Sequence, residues 1–362
     1  MLGLTPGARR AVIAGEHSPD SASRRRTWSW AGGSGCPSGA DRGDAVNLED
    51  EFAQYRGELV AHCYRMLGSL HDAEDAVQEA YLRAWRGFAE FEQRSSVKTW
   101  LYRIATRVCL NALQHSSRRM VPSALGAPGT DPDHLEAQAL EATWLEPFPD
   151  LMLNADPALV VGTRQSLRLA MVAALQHLPP RQRAVLILRE VLAWQASEVA
   201  ELLDTTTAAV NSSLQRARAE LAKLAPAEEQ FSEPDEPARR ALLDQYATAF
   251  EKTDLVALEG LLTQDTRWEM PPIPTWFDGR KDVLRLLTAK LLPGDGQRIM
   301  VETSANGQPA FACYTRGRDG TFHAHTLQVL TLSKAGVSAV LAFHRADLFP
   351  LFGLPIDRHS QE

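Results

Sequence analysis

At 362 residues the chain is too long for one small domain and suits two or three. Hydrophobic residues make up 44%, enough for real cores, yet no run approaches the roughly 18 apolar residues of a membrane span, which excludes a membrane-embedded function. A net charge of −7 excludes a uniformly basic nucleic-acid binder, and four scattered cysteines (Cys36, Cys63, Cys109, Cys313) without a CxxC pair argue against a disulfide framework or a thiolate metal site. Arg9 and Arg10 precede only Ala11–Ala14, too short for a secretory h-region, so the chain is expected in the cytoplasm.

Residues 1–46 are rich in Gly, Ser, Arg and Pro without apolar periodicity and are expected to form a disordered tail. Residues 47–119 have a helical pattern. Ala73, Ala76, Val77, Ala80, Tyr81, Ala84, Trp85 and Phe88 recur at helical spacing and predict one buried stripe. The opposite face carries Asp75, Gln78, Glu79 and Leu82 at i, i+3, i+4, i+7, a leucine framed by polar groups as in a docking patch. A second helix, about 98–114, turns Leu101, Ile104, Ala105, Val108 and Ala112 inward. It sits in a block, Arg94–Arg119, with six basic residues and no acidic ones. Lys98, Arg103 and Arg107 can neutralise phosphates, Trp100 can stack on an unpaired base, and Asn111 can reach a base edge.

Residues 120–160 reverse the charge, with seven carboxylates and neither Lys nor Arg. Six prolines mark this stretch as a linker, although Trp144-Leu-Glu-Pro-Phe148-Pro-Asp150 is unusually apolar for a spacer. Residues 161–226 return to helices. A short one near Ala196–Leu203 and a longer one near 207–224 flank Asp204-Thr205-Thr206-Thr207, predicting a helix–turn–helix. The second helix buries Val210, Leu214, Ala217 and Leu221 and presents Thr207, Asn211, Ser212, Gln215, Arg216 and Arg218, groups suited to base edges and phosphates in a major groove.

After a polar linker at 227–236 the period changes. Helices near 238–252 and 254–263, a strand near Thr266–Met270, a helix near Arg280–Leu292 and alternating runs at Thr321–Leu332 and Val337–Phe343 predict an α+β domain over 237–354, with 355–362 as a tail. Trp268, Met270, Trp276, Phe277, His323, His325 and His344 are candidates to line a pocket there, His323 and His325 alternating onto one sheet face. The apolar run Leu348–Leu354 is a candidate contact with the helical modules.

Three stretches carry a family resemblance. Asp72-Ala-Glu-Asp75-Ala-Val-Gln78-Glu79-Ala-Tyr-Leu82-Arg-Ala-Trp85, preceded by Tyr64-Arg-Met-Leu-Gly68, resembles regions 2.2 and 2.1 of sigma-70 factors. Lys98–Asn111 is similar to regions 2.3 and 2.4. Leu178-Pro-Pro-Arg181-Gln-Arg183 together with Val210-Asn-Ser212-x-Leu214-x-Arg216-Ala-Arg218 resembles region 4 of the extracytoplasmic-function (ECF) branch, in which Asp204 stands where a turn glycine is usual, so the resemblance implies a strained or left-handed aspartate there. The resemblance implies a multidomain chain of two all-α sigma domains and a C-terminal domain similar to the SnoaL branch of the NTF2-like superfamily, as in the sigma-G and sigma-J types. It implies a non-enzymatic factor binding core RNA polymerase through the β′ clamp (Asp75, Gln78, Glu79, Leu82) and the β flap. Lys98–Asn111 would then read the −10 element and the helix–turn–helix the −35 element, with the acidic linker in the polymerase cleft. An anti-sigma protein and a small molecule held by the C-terminal domain are candidate partners; no cofactor or metal is implied. Two other readings compete, a one-component regulator and a SnoaL-type enzyme. The former needs no clamp-docking face, and no general base stands out for the latter.

Overall fold

The computed structural model describes residues 48–91, 95–114, 118–133, 135, 142–152, 166–224, 234–291 and 297–359. The predicted N-terminal tail, most of the 227–236 linker and three linker carboxylates (Glu136, Glu141, Asp156) lie outside them. No described helix is long and apolar enough to cross a membrane.

The first module is a bundle of α1 (Leu48–Leu67), α2 (Leu70–Gly87) and α3 (Val97–Ala112). Ser69 caps α2 by accepting from Asp72 N at 3.1 Å, and Ser96 caps α3 by accepting from Thr99 N at 3.1 Å, satisfying amides that have no partner within the helix. Small residues (Ala73, Ala76, Ala80, Ala84) form the buried stripe of α2 and let α1 approach closely. Trp85, predicted on that stripe, is instead 56% exposed: it sits at the edge of the stripe, while Ala84 beside it is fully buried and Phe88, one turn on, still packs against the core.

The second module comprises α4 (Leu169–Gln176), α5 (Pro180–Leu186), continued by a π-helical turn Ile187–Val191, then α6 (Ala196–Leu202) and α7 (Thr207–Leu224). Glu198 accepts from Gln195 N at 2.7 Å at the start of α6, and Thr206 accepts from Ala209 N at 3.2 Å at the start of α7. Asp204 has φ +51°, the left-handed turn residue that the resemblance implies.

The third unit holds α8 (Glu236–Glu251), α9 (Leu255–Leu261), β1 (Leu262–Met270), β2 (Ile273–Asp278), α10 (Arg280–Leu291), β3 (Arg298–Ala305), β4 (Gln308–Arg316), β5 (Phe322–Ser333), β6 (Gly336–Phe343) and β7 (Asp357–Arg358). The sheet order is β2-β1-β6-β5-β4-β3, with β7 added to β5; β1 and β6 are parallel and the other pairs antiparallel. Residues 355–362 are therefore more than the predicted tail, since Asp357 and Arg358 pair with His323 and Phe322.

Strand alternation gives this sheet two apolar faces. Met300, Phe311, Cys313 and Leu330 pack with Tyr246, Phe250 and Leu286 from the helices. Ala310, Ala312, Tyr314, Leu327 and Val329 belong to the same core as the two helical modules. The C-terminal run contributes Leu348, Phe349 and Phe352 to that shared core from a 3₁₀ helix, Ala346–Phe352, as its apolar composition suggests.

The linker is packed rather than free. Met120 bridges to Trp144 and Pro149 to Ala305, and Leu145 and Phe148 are buried. The β3–β4 hairpin grips it with Asn306-Gly307, both at positive φ (+58° and +68°) as a two-residue hairpin turn requires. Asn306 N donates to Phe148 O (2.8 Å) and its Oδ1 accepts from Phe148 N (2.8 Å). Its Nδ2 donates to Tyr64 OH (2.9 Å) and Leu167 O (2.6 Å). One side chain thus joins all three units. Asn306→Ala leaves buried groups unpaired and places a Cβ residue without a compensating amide at a left-handed position; a loss of about 2–4 kcal/mol in unfolding free energy is expected. Urea unfolding of the full chain measures it.

Candidate nucleic-acid interface

The outer face of α2 is as predicted: Asp75 and Gln78 are exposed, Glu79 pairs with Arg83 at 2.7 Å, and Leu82 is 43% exposed. Trp85, one turn beyond Leu82, extends the apolar centre of this patch, and periodicity alone assigned it to the wrong side.

On α3 the five candidates divide. Lys98 pairs with Glu58 at 2.7 Å and lies over the Tyr55 ring, 5.3 Å from its centroid. Trp100 is half-buried against Phe91, ring centroids 4.7 Å apart. Asn111 is exposed. Arg103 makes a bidentate pair with Glu201 of α6 (2.8 and 3.0 Å), and Arg107 donates to Leu202 O at 3.4 Å with Asp204 at 3.8 Å. A cleft of about 800 Å³, lined by Arg83, Phe91, Trp100, Arg103, Arg107 and Glu201, lies at this junction. The two arginines that suit phosphates thus hold carboxylates of the second module.

Thr207, Asn211, Ser212, Gln215, Arg216 and Arg218 all lie exposed on α7, on the side opposite Val210, Leu214 and Ala217. Arg218 is paired with Glu190 and Arg216 donates to Ser213 Oγ at 3.2 Å. The other four are exposed, so this face of α7 is uncovered in the structure.

Two buried charged groups hold the modules together. Arg183 of α5 reaches Met66 O in the first module and also donates to Gln176 Oε1 (2.7 Å), Gln176 O and Leu178 O; burial lowers its pKa to about 10. Glu146, 5% exposed, places Oε2 against Ser69 Oγ (2.9 Å), Leu70 N (3.0 Å) and His71 Nδ1 (3.0 Å), and Oε1 against Arg345 Nη1 (2.9 Å). The linker carboxylate caps α2, where the helix dipole favours negative charge, and ties it to the C-terminal unit. Burial alone would raise its pKa, but the His71 and Ser69 hydrogen bonds and the Arg345 charge outweigh burial and hold it below the ordinary glutamate range.

The pocket candidates do not converge. Trp268 is buried against Phe250, rings stacked 5.9 Å apart. His323 is an exposed-edge ion pair with Asp357 (2.7 Å) and Asp319 (3.4 Å). His325 is the extra residue of a β-bulge opposite Cys313 and Tyr314, which breaks the alternation that would have set it beside His323; its ring meets His344 edge-on. Trp276 is covered by the linker, its Nε1 donating to Gly126 O at 2.9 Å. Beside it sits Glu269, absent from the sequence-derived candidates, 3% exposed and accepting from Ser123 N (2.9 Å) and Ser123 Oγ (3.0 Å). Burial raises its pKa, the Ser123 bonds opposing. Among the described residues no cluster of three or more His, Cys, Asp or Glu is arranged to hold a metal.

Because the folded pKa of Glu146 is depressed, its stabilising contribution is present above the ordinary glutamate value and is lost as pH falls through the lowered folded value. Glu146→Gln is expected to remove that slope from the acid limb of the stability profile and to cost about 1–3 kcal/mol near neutrality, where its charged partners are left with a neutral amide. Unfolding midpoints measured across the acid range check both.

The matches to known proteins agree with this layout. The family model for sigma-70 region 2 matches residues 52–119 and that for sigma-70 region 4 matches residues 168–221. The ECF RNA polymerase sigma factor SigG of Mycobacterium tuberculosis is 49% identical over 306 residues, 83% of this chain and 82% of that protein. SigJ of the same organism is 29% identical over 217 residues, 59% of this chain and 62% of that protein. The crystal structure of SigJ superposes with a TM-score of 0.56 at 25% identity, covering 85% of this chain and 99% of that one, and the strand-rich unit has the SnoaL-like fold. With regions 2 and 4 in this order and a relative 49% identical over 83% of its length, the chain belongs to the extracytoplasmic-function sigma factors, the non-enzymatic subunits that direct RNA polymerase to promoters.

Proposed function

We propose that this sigma factor is held here in a closed, promoter-blind state and that its C-terminal domain sets how readily it opens. The observation that carries this reading is the bidentate Arg103–Glu201 pair, which uses a −10-facing guanidinium to bind the −35 module. The two promoter elements are some 25 base pairs apart, about 85 Å of duplex at 3.4 Å per pair. Two touching modules of about 60 residues each, with radii of gyration near 10 Å, do not reach across that distance.

In the open state Asp75, Gln78, Glu79, Leu82 and Trp85 dock on the β′ clamp, Lys98, Trp100, Arg103, Arg107 and Asn111 engage the −10 element, and α7 enters the major groove of the −35 element through Thr207, Asn211, Ser212, Gln215, Arg216 and Arg218 while region 4 meets the β flap. The acidic linker, released from its packing, follows the basic cleft of the polymerase. An anti-sigma protein would have to displace contacts the two modules already make with each other. A small-molecule ligand of the C-terminal domain would act by changing its hold on the linker.

Two variants test the reading in promoter-specific transcription with purified core polymerase. Leu82→Asp puts a charge at the centre of the docking patch and is expected to weaken core binding at least ten-fold with an unchanged melting profile; wild-type affinity would remove the docking assignment. Glu201→Lys replaces attraction with repulsion at Arg103. An exposed pair of this kind contributes no more than about 1 kcal/mol, so a gain of up to about five-fold in transcription at limiting sigma is expected. Unchanged transcription would leave the closed state without a regulatory role.

A further inference from the structure

The edge of the C-terminal sheet holds the linker by its main chain. β2 is the outermost strand, so its free hydrogen-bonding edge needs a cover. Trp276 O accepts from Gly129 N at 2.7 Å, Trp276 Nε1 donates to Gly126 O at 2.9 Å, and Glu269, the register partner of Trp276 on β1, accepts from Ser123 N and Oγ at 2.9 and 3.0 Å. Three of these four bonds go to linker backbone. A Cβ on Gly129 would come within 2.7 Å of Thr275 Cγ2, so the approach is as close as a glycine permits.

Glu269 makes this more than edge protection. Its carboxylate is 3% exposed, and among the described residues both donors to it belong to Ser123. A buried carboxylate without donors costs several kcal/mol. The domain therefore carries a preset acceptor and a preset indole donor on one sheet face, beside Arg267, whose guanidinium lies 4.9 Å from the centre of the Trp276 ring, and among the described residues the hydrogen bonds of both come from the linker. Convergent, preset polar groups characterise ligand sites.

We infer that the Glu269–Trp276 edge is a binding site for amide-bearing, peptide-like ligands, filled in cis by residues 123–129, so that an incoming ligand and the closed state exclude each other. This rests on the closed state being promoter-blind. The coupling is short: Met120, three residues before Ser123, donates to Thr143 O and accepts from Leu145 N across a single β-bridge with Trp144, and Glu146 follows directly. Displacing the segment pulls on the bridge that positions the cap of α2.

Hydrogen exchange on the full chain tests the site, with the synthetic peptide Arg119–Thr130 as the competing probe. Ser123→Pro removes the linker donors without touching the domain, and Glu269→Leu removes the acceptor; each is expected to speed exchange of the Gly129 amide, which donates to Trp276 O, at least ten-fold. Glu269→Gln, whose amide can still accept from Ser123 N and donate to Ser123 Oγ, is expected to stay near wild type. Millimolar peptide is expected to speed exchange saturably in the wild-type chain and to raise transcription at limiting sigma. Wild-type protection in Ser123→Pro, or no response to the peptide, overturns the site. Faster exchange with unchanged transcription overturns the exclusion, while Glu201→Lys independently decides whether the closed state is inhibitory.

Discussion

A single buried carboxylate, Glu146, joins the linker to the first module and to the C-terminal unit. Its polar neighbours are Ser69, which caps α2, Leu70 and His71 of its first turn, and Arg345, so region 2 and the C-terminal domain are satisfied by the same linker residue. Removing such a charge from water is costly, and only a full set of donors offsets it. The arrangement therefore specifies one register for the linker: a shift by one residue would bury the charge without partners. Asn306 repeats the logic from the opposite side, reading the Phe148 backbone while bonding Tyr64 and Leu167.

The SnoaL-like sheet then serves as a platform with two apolar faces. One closes on α8 and α10 to make a core of its own, and the other joins the core shared with the sigma modules. A sheet apolar on both sides must be covered on both, which explains why the domain sits against the modules rather than trailing from them. Its hold on the linker and the pairing of Arg103 and Arg107 with α6 belong to one compact arrangement in which these two arginines of region 2 face protein.

Much of this was legible along the chain because it is periodic or local. The stripe of α2, its Asp75/Gln78/Glu79/Leu82 face and the outer face of α7 follow from a 3.6-residue repeat, and the left-handed Asp204 follows from the family resemblance of the turn it occupies. Where a pattern needed an unbroken element, it failed. His323 and His325 part because a bulge intervenes, a feature with no residue signature at that point. Trp85 fits the apolar repeat yet is exposed, since the repeat says which side is apolar and not how wide a stripe the neighbouring helices cover. Glu269 was missed because a lone glutamate in a strand is unremarkable until its burial is known.

The sequence by itself determined the local elements and the chemistry of their faces: an acidic leucine-centred helix, a basic aromatic one, a helix–turn–helix and a linker too apolar in its second half to be a spacer. Those properties depend on residues a few positions apart, and side-chain spacing encodes them directly. Only the tertiary structure decided what each face meets. Arg103 finds Glu201 98 positions away, Asn306 finds Tyr64 242 positions away and Glu269 finds Ser123 146 positions away. Such pairings are selected by the packing of whole modules against a two-faced sheet, and no local pattern in the chain carries them.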